Sequence, residues 1–449
     1  MPLDRPHPLN SRPGASRLPQ ELLDSVIGEL RDDKGALKRC SLVASNWLPA
    51  SSTLLLRRVL WPPCARKIDV CKTPLPNEAP PTCKYIPTSQ NSFALCLEIL
   101  ASSPRLQRSV RKLVCMPPNK MHDMKDDTRG ALELQTFVDI VNRLPHLELV
   151  NLLGVVLQSG DSPSTEGNGR TLEMFHAFGE SIDHSEALFS FLSTFQHVKH
   201  LSFFVYGLFP QGWSTELSAS RPTVEVLEFK HTQDPQGPWV ASSPLSFYAG
   251  LARNLDLHTL RRLDADSLQP GSSIIFSAAP ALESLSLSAN NRELSLDFER
   301  IPPRLANVEV SCMFLVHNGR IGPPGASGVW TRVWTTFRAA ALLPIRKIVV
   351  RFNVMFVKTS QEDLYAEYEA ILSQITEWQT AASVLDELVR LESITVELDT
   401  TLLQAGAPMA SIHIHDRYVA ALRDAIAKGL PRRYVDILHV KAAASKPEV

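Results

Sequence analysis

The chain has 449 residues, of which 44% are hydrophobic and 21% charged, the usual balance for a globular protein with a large core. Its 46 basic residues nearly cancel its 47 acidic ones, so no overall charge favours nucleic acid or a membrane surface as a partner. No apolar run of about 18 residues predicts a membrane span. The seven dispersed cysteines predict free thiols in a reducing compartment, cytoplasmic or nuclear.

Three short apolar helices are predicted immediately behind a disordered N-terminal tail at 1–15. In the first, residues 18–30, large apolar side chains recur at helical spacing, and Pro19 suits a first turn. The second ends near Trp47, and the third is predicted from Pro49 to Trp61. These helices span about 45 residues, too few to form a stable core alone. They also carry more large apolar side chains than a small bundle can bury.

These helices resemble the F-box in the form common in fungal F-box proteins. The family pattern begins with Leu-Pro, continues with a Glu-Leu-Leu helix and ends on Val-x-x-x-Trp, and here it covers residues 16–62. The resemblance implies docking on a Skp-family adaptor and, through it, on a cullin-based ubiquitin ligase. The residues predicted to bind the adaptor are Leu18, Pro19, Leu22, Leu23, Val26, Ile27, Leu30, Leu37, Cys40, Val43 and Trp47. The alternative is that the helices only cap the main core.

A loose repeat of the form apolar-x-x-apolar-x-apolar follows a proline-rich loop or linker at 63–95. Several repeats are about 20–29 residues apart, the period of leucine-rich repeats. Such a unit predicts a short strand whose fourth and sixth residues point into a core, while the third and fifth point outwards. The units begin at Val110, Leu147, Val198, Val224, Leu260, Leu282, Leu305, Ile345 and Leu391, with a possible tenth at Val435.

Helical patterns alternate with these strands, at 131–144, 185–196, 361–391 and 416–430. The alternation predicts the α/β class, with the three-helix F-box followed at 96–442 by an irregular leucine-rich-repeat-like solenoid and its parallel β-sheet. A short tail at 443–449 ends the chain. The asparagine that supports the backbone of such repeats occurs only as Asn290 and Asn353, so we expect a partial ladder. An unrelated α/β domain with parallel strands is the alternative.

Catalytic motifs are absent from the sequence, which has no phosphate-binding loop, dinucleotide-binding glycine motif or nucleophile elbow. His413 and His415 alternate on a possible strand without an apparent third metal ligand. The acidic loop at 121–127 lacks the glycine of a calcium loop. We therefore expect no enzymatic activity, no cofactor and no metal.

The function predicted from the resemblance is that of a substrate adaptor, which binds a target protein while a ubiquitin-conjugating enzyme supplies the chemistry. The outward positions of the repeat strands form the predicted concave binding surface. Its candidate target-binding residues are His200, Glu228, Arg262, Asp264, Asn307, Glu309, Lys347 and Thr395. Loops at one rim, 158–170 and 317–330, are the competing site. Two alternative functions stay open, an F-box scaffold acting outside a ligase and an enzyme with an unrecognised site.

Overall fold

A computed structural model gives the structure of the protein. It describes residues 20–30, 33–43, 51, 58–61, 98, 100–115, 130–153, 155–158, 169–178, 185–206, 220–232, 244–265, 273–288, 302–317, 320–321, 333–334, 337–338, 343–357, 379–403, 410–411 and 416–442.

An open, 14-stranded sheet forms the centre of the protein, and its long strands pair in chain order and run parallel. From one edge the strands are β1 (Arg58–Trp61), β2 (Lys112–Cys115), β4 (Leu149–Leu153), β6 (Arg170–Phe178), β7 (Phe195–Tyr206), β8 (Thr223–Thr232), β9 (Arg262–Ala265), β10 (Ser284–Ser288), β11 (Asn307–His317), β13 (Lys347–Val357), β14 (Ser393–Leu403) and β16 (Leu438–Ala442). Two short strands, β12 (Arg320–Ile321) and β15 (Ala410–Ser411), pair antiparallel with β11 and β14. A separate pair joins β3 (Gly130–Glu133) to β5 (Val155–Gln158). The predicted α/β class with a parallel sheet is confirmed.

Helices alternate with the strands along the described chain. They are α1 (Gln20–Glu29), α2 (Lys34–Val43), α3 (Pro104–Ser109), α4 (Leu134–Asn142), α5 (Ser185–Leu192), α6 (Pro244–Asn254), α7 (Ser273–Ala278), α8 (Gln379–Glu387), α9 (Asp416–Gly429) and α10 (Arg432–Val435). The helix predicted at 131–144 is preceded by β3, and the one predicted at 185–196 ends at Leu192 so that β7 can begin at Phe195. The pattern at 416–430 is confirmed. Within 361–391 the described helix is α8.

One core cluster joins the helices to alternate residues of the strands. The fourth and sixth residues of the repeat are buried as predicted, for example Leu201 and Phe203 on β7. Above them, Phe191 of α5 packs its ring 4.7 Å from that of Phe137 on α4. Helices therefore cover one face of the sheet, and the opposite face carries the third and fifth residues of each unit. We call that opposite side the exposed face.

Backbone hydrogen bonds repeat at the turn that leads into each strand. The carbonyl of Arg111 accepts from the amides of Glu148 and Leu149 at 2.8 and 3.0 Å. Eight strands farther along the sheet, the carbonyl of Arg346 accepts in the same way from Glu392 and Ser393. Main-chain groups thus connect neighbouring repeats at this turn without an asparagine side chain.

Two arginines cap helix ends from neighbouring units. Arg170, at the start of β6, donates to the carbonyls of Val141 (2.9 Å) and Leu144 at the end of α4. Arg221, just before β8, donates in the same way to carbonyls at the end of α6. A cation at a helix C-terminus satisfies unpaired carbonyls and complements the helix dipole. Gly169 (φ 63°) makes the left-handed turn that leads into β6.

The structure contains a repeat that the sequence analysis missed. β6 carries the motif from Leu172, and this unit divides the 51-residue gap between Leu147 and Val198 into steps of 25 and 26 residues. Several strands are also longer than the six-residue motif predicts, with 12 residues in β7 and 11 in β11, β13 and β14. The exposed face is therefore wide at β6–β8 and at β11–β14, and narrow at β9 and β10, which have four and five residues.

The third predicted helix of the N-terminal segment is corrected at its end. Residues 58–61 form β1, whose four residues pair in parallel with β2 at the edge of the sheet. Val59 and Trp61 favour an extended backbone, and β2 offers unpaired main-chain groups that such a strand satisfies. The predicted boundary at 62 therefore assigns a strand of the main sheet to the F-box unit.

Candidate functional site

In-register parallel pairing arranges the exposed face in rows that cross the strands. The third residues of the repeat form one row, Lys112, Leu149, Met174, His200, Val226, Arg262, Ser284, Asn307, Lys347 and Ser393. The fifth residues form the next, Val114, Asn151, His176, Ser202, Glu228, Asp264, Ser286, Glu309, Val349, Thr395 and His439. All eight predicted target-binding residues lie in these two adjacent rows.

Accessibility differs among the residues of the second row. Glu228, Asp264 and Glu309 are partly exposed, as expected. Thr395, however, is only 7% exposed, and Ser202, another short hydroxyl side chain of this row, is fully buried. Thr395 lies between Val349 and His439 in its row, and Ser202 lies between His176 and Glu228. The expectation that Thr395 is accessible to a target is therefore wrong.

The first part of the exposed face is an aromatic patch on β4 and β6–β8. It consists of Asn151, Leu153, Met174, His176, Phe178, His200, Phe204, Val226, Glu228 and Lys230. The rings of Phe178 and Phe204 are 5.3 Å apart, and the ammonium of Lys230 lies 5.0 Å from the ring of Phe204. His176 and His200 meet edge to face at 5.8 Å. Such aromatic groups offer large, rigid contact areas to a partner.

Glu228 supplies the negative charge of the aromatic patch and is almost fully engaged within it. Its carboxylate accepts from Ser202 Oγ at 3.0 Å, contacts the ammonium of Lys230 and lies 3.4 Å from His200 Nε2. Burial opposes ionisation of Glu228, but these three contacts outweigh it and lower the pKa of Glu228 well below its usual range. Burial and the neighbouring His200 lower the pKa of His176, which favours its neutral form.

Two buried polar atoms of the aromatic patch make no hydrogen bond within the described part of the chain. They are Asn151 Oδ1 and His200 Nε2, the latter close to Glu228 but poorly aligned with it. Buried polar atoms in native proteins usually have a partner, and leaving one unsatisfied costs about 1–3 kcal/mol. Both atoms are buried, so they are unsatisfied polar atoms of the patch that lie out of reach of solvent.

The second part of the exposed face is an ionic patch on β9–β16. It consists of Arg262, Asp264, Asn307, Glu309, Lys347, Arg351, Glu397 and Lys441. Arg351 binds Glu397 through two nitrogens, at 2.9 and 2.7 Å, and lies 2.9 Å from Glu309 on its other side. Lys441 lies 3.0 Å from Glu397. These charges are mostly paired with one another.

The two carboxylates that flank Arg351 have different environments. Burial raises the pKa of Glu309 and prevails over the attraction of Arg351 and Arg262. Its Oε1 lies at ion-pair distance from Arg351 without hydrogen-bond alignment. Burial also disfavours the charge on Glu397, but the hydrogen bonds from Arg351 and Lys441 prevail and lower the pKa of Glu397. The ionisation of these two carboxylates thus depends on hydrogen-bond geometry as well as on the presence of nearby cations.

Of the two arginines in the ionic patch, Arg262 makes the weaker contacts. Its guanidinium is 3.6 Å from Asp264 and 3.9 Å from Glu309, and its side chain is 44% exposed. Neither distance is that of a hydrogen bond. Lys347, on β13 in the same row as Arg262, is also exposed. These two cations face solvent above acidic groups that are more deeply buried.

The asparagine expected to support the repeat backbone has another role. Asn353, on the exposed face of β13, donates to Ser311 Oγ on β11 at 2.7 Å. It therefore connects two strands through their side chains. Asn290 lies outside the described residues.

The residues predicted to bind the adaptor divide into two groups in the described helices. Ile27, Leu37 and Cys40 are buried. Leu22 and Val26, on α1, are 53% and 54% exposed. Leu30 is half-buried, and Leu23 and Val43 are known only as backbone positions of α1 and α2. Leu18, Pro19 and Trp47 lie outside the described residues, as does most of the two rim loops at 158–170 and 317–330.

No three His, Cys, Asp or Glu side chains come together as a metal site within the described ranges. His413, His415 and the loop at 121–127 lie outside these ranges. Among the described helices, none combines the length and apolar character needed to cross a bilayer.

Several residues of the two patches were missed by the sequence analysis. His176 and Phe178 belong to the missed repeat at Leu172, whose letters match the motif. Phe204, Lys230 and Arg351 lie beyond the sixth motif residue, on strands that continue the alternation. Following the alternation past the motif would have found all three.

No known family model matches the chain, and no curated protein is similar to it in sequence. The features that bear on function are therefore the N-terminal helices and the two patches of the exposed face.

Proposed function

We propose that the protein is a substrate-recognition adaptor of an SCF-type cullin ubiquitin ligase. In this proposal the N-terminal helices are an F-box that docks on a Skp-family adaptor. The sheet and its helices are a leucine-rich-repeat-like solenoid that binds the target protein. The protein itself performs no chemistry. It holds a target lysine near a ubiquitin-conjugating enzyme, and proximity accelerates the transfer.

The observation that carries the proposal is the pair of exposed apolar side chains on α1. Leu22 and Val26 are one helical turn apart and therefore share a face, while Ile27 points into the protein. A helix that buries one apolar stripe has no internal reason to keep a second one in water. Contiguous exposed apolar groups of this kind mark protein–protein contacts. The F-box resemblance gives the partner, a Skp-family adaptor.

The exposed face supports the second half of the proposal. A parallel array of strands holds its side chains rigidly, so little conformational entropy is lost when a partner binds. The aromatic patch supplies apolar contact area, and the adjacent ionic patch supplies charge. The thiol side chains of Cys40, Cys115 and Cys312 fit a role in the cytoplasm or nucleus.

A pair of matched substitutions tests adaptor docking. Val26→Asp places a charge on the exposed face of α1, and Val389→Asp makes the same change at a 92%-exposed position before β14. We expect Val26→Asp to weaken binding of a Skp-family adaptor about 30-fold or more, because truncating an interface anchor costs about 2 kcal/mol or more. Val389→Asp should bind normally. The measurement is titration calorimetry with the purified adaptor.

Two results would refute parts of this proposal. Normal adaptor binding by a chain that lacks residues 1–50, a deletion that spares β1, would remove the F-box assignment. Adaptor capture from cells without any cullin would support the alternative role, an F-box scaffold acting outside a ligase.

A further inference from the structure

The two patches together indicate the chemistry of the segment that the exposed face binds, and this inference rests on the proposed target-binding function. The rings of Phe178 and Phe204, 5.3 Å apart, form a half-exposed apolar platform. An apolar side chain of a partner covers this platform best.

Charge complementarity defines the second feature of that segment. Three glutamates of the exposed face are deep, with side chains of Glu228, Glu309 and Glu397 only 13–14% exposed. The cations lie above them, and Arg262 has guanidinium donors that make no hydrogen bond with the described residues. A guanidinium prefers two parallel bonds to a carboxylate. A partner therefore meets cations first and is favoured if it is acidic.

The distance between the two features follows from sheet geometry. Arg262 lies two strands from Phe204 across the sheet, roughly 10 Å at the spacing of adjacent strands, and four residues along it, roughly 13 Å. The resulting separation is about 16 Å, which an extended peptide covers in about five residues.

We propose that the exposed face binds an extended target segment in which an aromatic or large aliphatic residue packs on Phe178 and Phe204. A carboxylate about five residues away pairs with Arg262. A further acidic residue beyond it reaches Lys347, which lies in the same row. The ionic pairs around Arg351 stay intact, because Arg351 already has carboxylates on both sides.

Selection of a displayed random-peptide library on the immobilised full-length chain tests this proposal. We expect the enriched peptides to share an aromatic or large aliphatic residue and an Asp or Glu about five positions away. Phe204→Ser and Arg262→Glu should each weaken a selected peptide about tenfold or more. Arg423→Glu, the same charge change on the helix-covered side, is the matched control.

A charge swap makes the test specific. Replacing the peptide's carboxylate by lysine should abolish binding to the natural chain and restore it to Arg262→Glu. No enriched peptides, enrichment of basic peptides, or equal losses for Arg262→Glu and Arg423→Glu would overturn the proposal. Peptide binding is measured without the adaptor. Loss of adaptor docking alone would thus refute the ligase role and leave this inference standing. Loss of peptide binding alone would refute this inference and leave adaptor docking standing.

Discussion

The aromatic and ionic patches lie on the same face of one sheet, above the same continuous core, yet their side chains are engaged to different degrees. In the ionic patch, Arg351 bridges carboxylates on the strands to either side of its own. In the aromatic patch, two phenylalanines face outwards. The difference indicates that the ion pairs around Arg351 chiefly fix strand register, while the outward phenylalanines and the exposed Arg262 are the groups open to a partner.

The largest expected effect is a loss of unfolding free energy that should be similar beneath both patches. Phe203 and Phe352 are fully buried residues on the helix side, next in sequence to Phe204 and Arg351. Phe203→Ala and Phe352→Ala should each lower the free energy of unfolding by about 3–5 kcal/mol, because both leave cavities in a packed core. Urea denaturation measures the two values. A large difference between them would mean that the two patches do not share one core.

The next effect should separate the patches. Arg351→Ala leaves Glu309 and Glu397, on the strands to either side of β13, without their shared cation, so we expect a loss of about 2–3 kcal/mol in unfolding free energy. Its control is Arg346→Ala, whose ion pair with Glu392 at 3.9 Å is exposed and should contribute less than about 0.5 kcal/mol. Equal losses in the two variants would show that the ionic patch does not stabilise the sheet.

The smallest effect is a difference in pH dependence between two carboxylates. The pKa of Glu228 is lowered on folding, so its stabilising contribution is present above the usual value of 4.5 and disappears as the pH falls below it. The pKa of Glu309 is raised, so its ionisation costs stability as the pH rises above 4.5. Unfolding free energies from pH 4 to 7, each compared with the glutamine variant, should therefore change in opposite directions. Parallel curves for the two sites would contradict the environments described above.

The regular part of this architecture could be predicted from the sequence, because it depends on local alternation. Burial of the fourth and sixth motif residues, for example Val308 and Val310, follows from the two-residue period of a strand. The helix at 416–430 follows from its helical period and its terminal Gly429. The placement of the predicted target residues in two adjacent rows also follows, since every unit has the same register.

The remaining features depend on contacts between units, which a single unit does not encode. β1 becomes a strand because an edge of the sheet is available to it, although the sequence pattern predicts a helix over its residues. Thr395 is buried where two other units, at Val349 and His439, lie beside it. Arg351 joins two carboxylates only because β11, β13 and β14 stand in register over 11 residues. None of these relations is visible in one repeat taken alone.

The central claim is that one chain carries two independent binding surfaces, α1 for an adaptor and the exposed face for a target. Quantitative affinity capture from cells, comparing the natural chain with Val26→Asp and Arg262→Glu, tests it most directly. The account predicts that Val26→Asp loses the Skp-family adaptor and cullin but keeps its other partners. Arg262→Glu should keep the adaptor and cullin and lose at least one other partner. The account would be contradicted if either variant, with its folding intact, lost the adaptor and the other partners together. It would also be contradicted if both variants kept all of their partners.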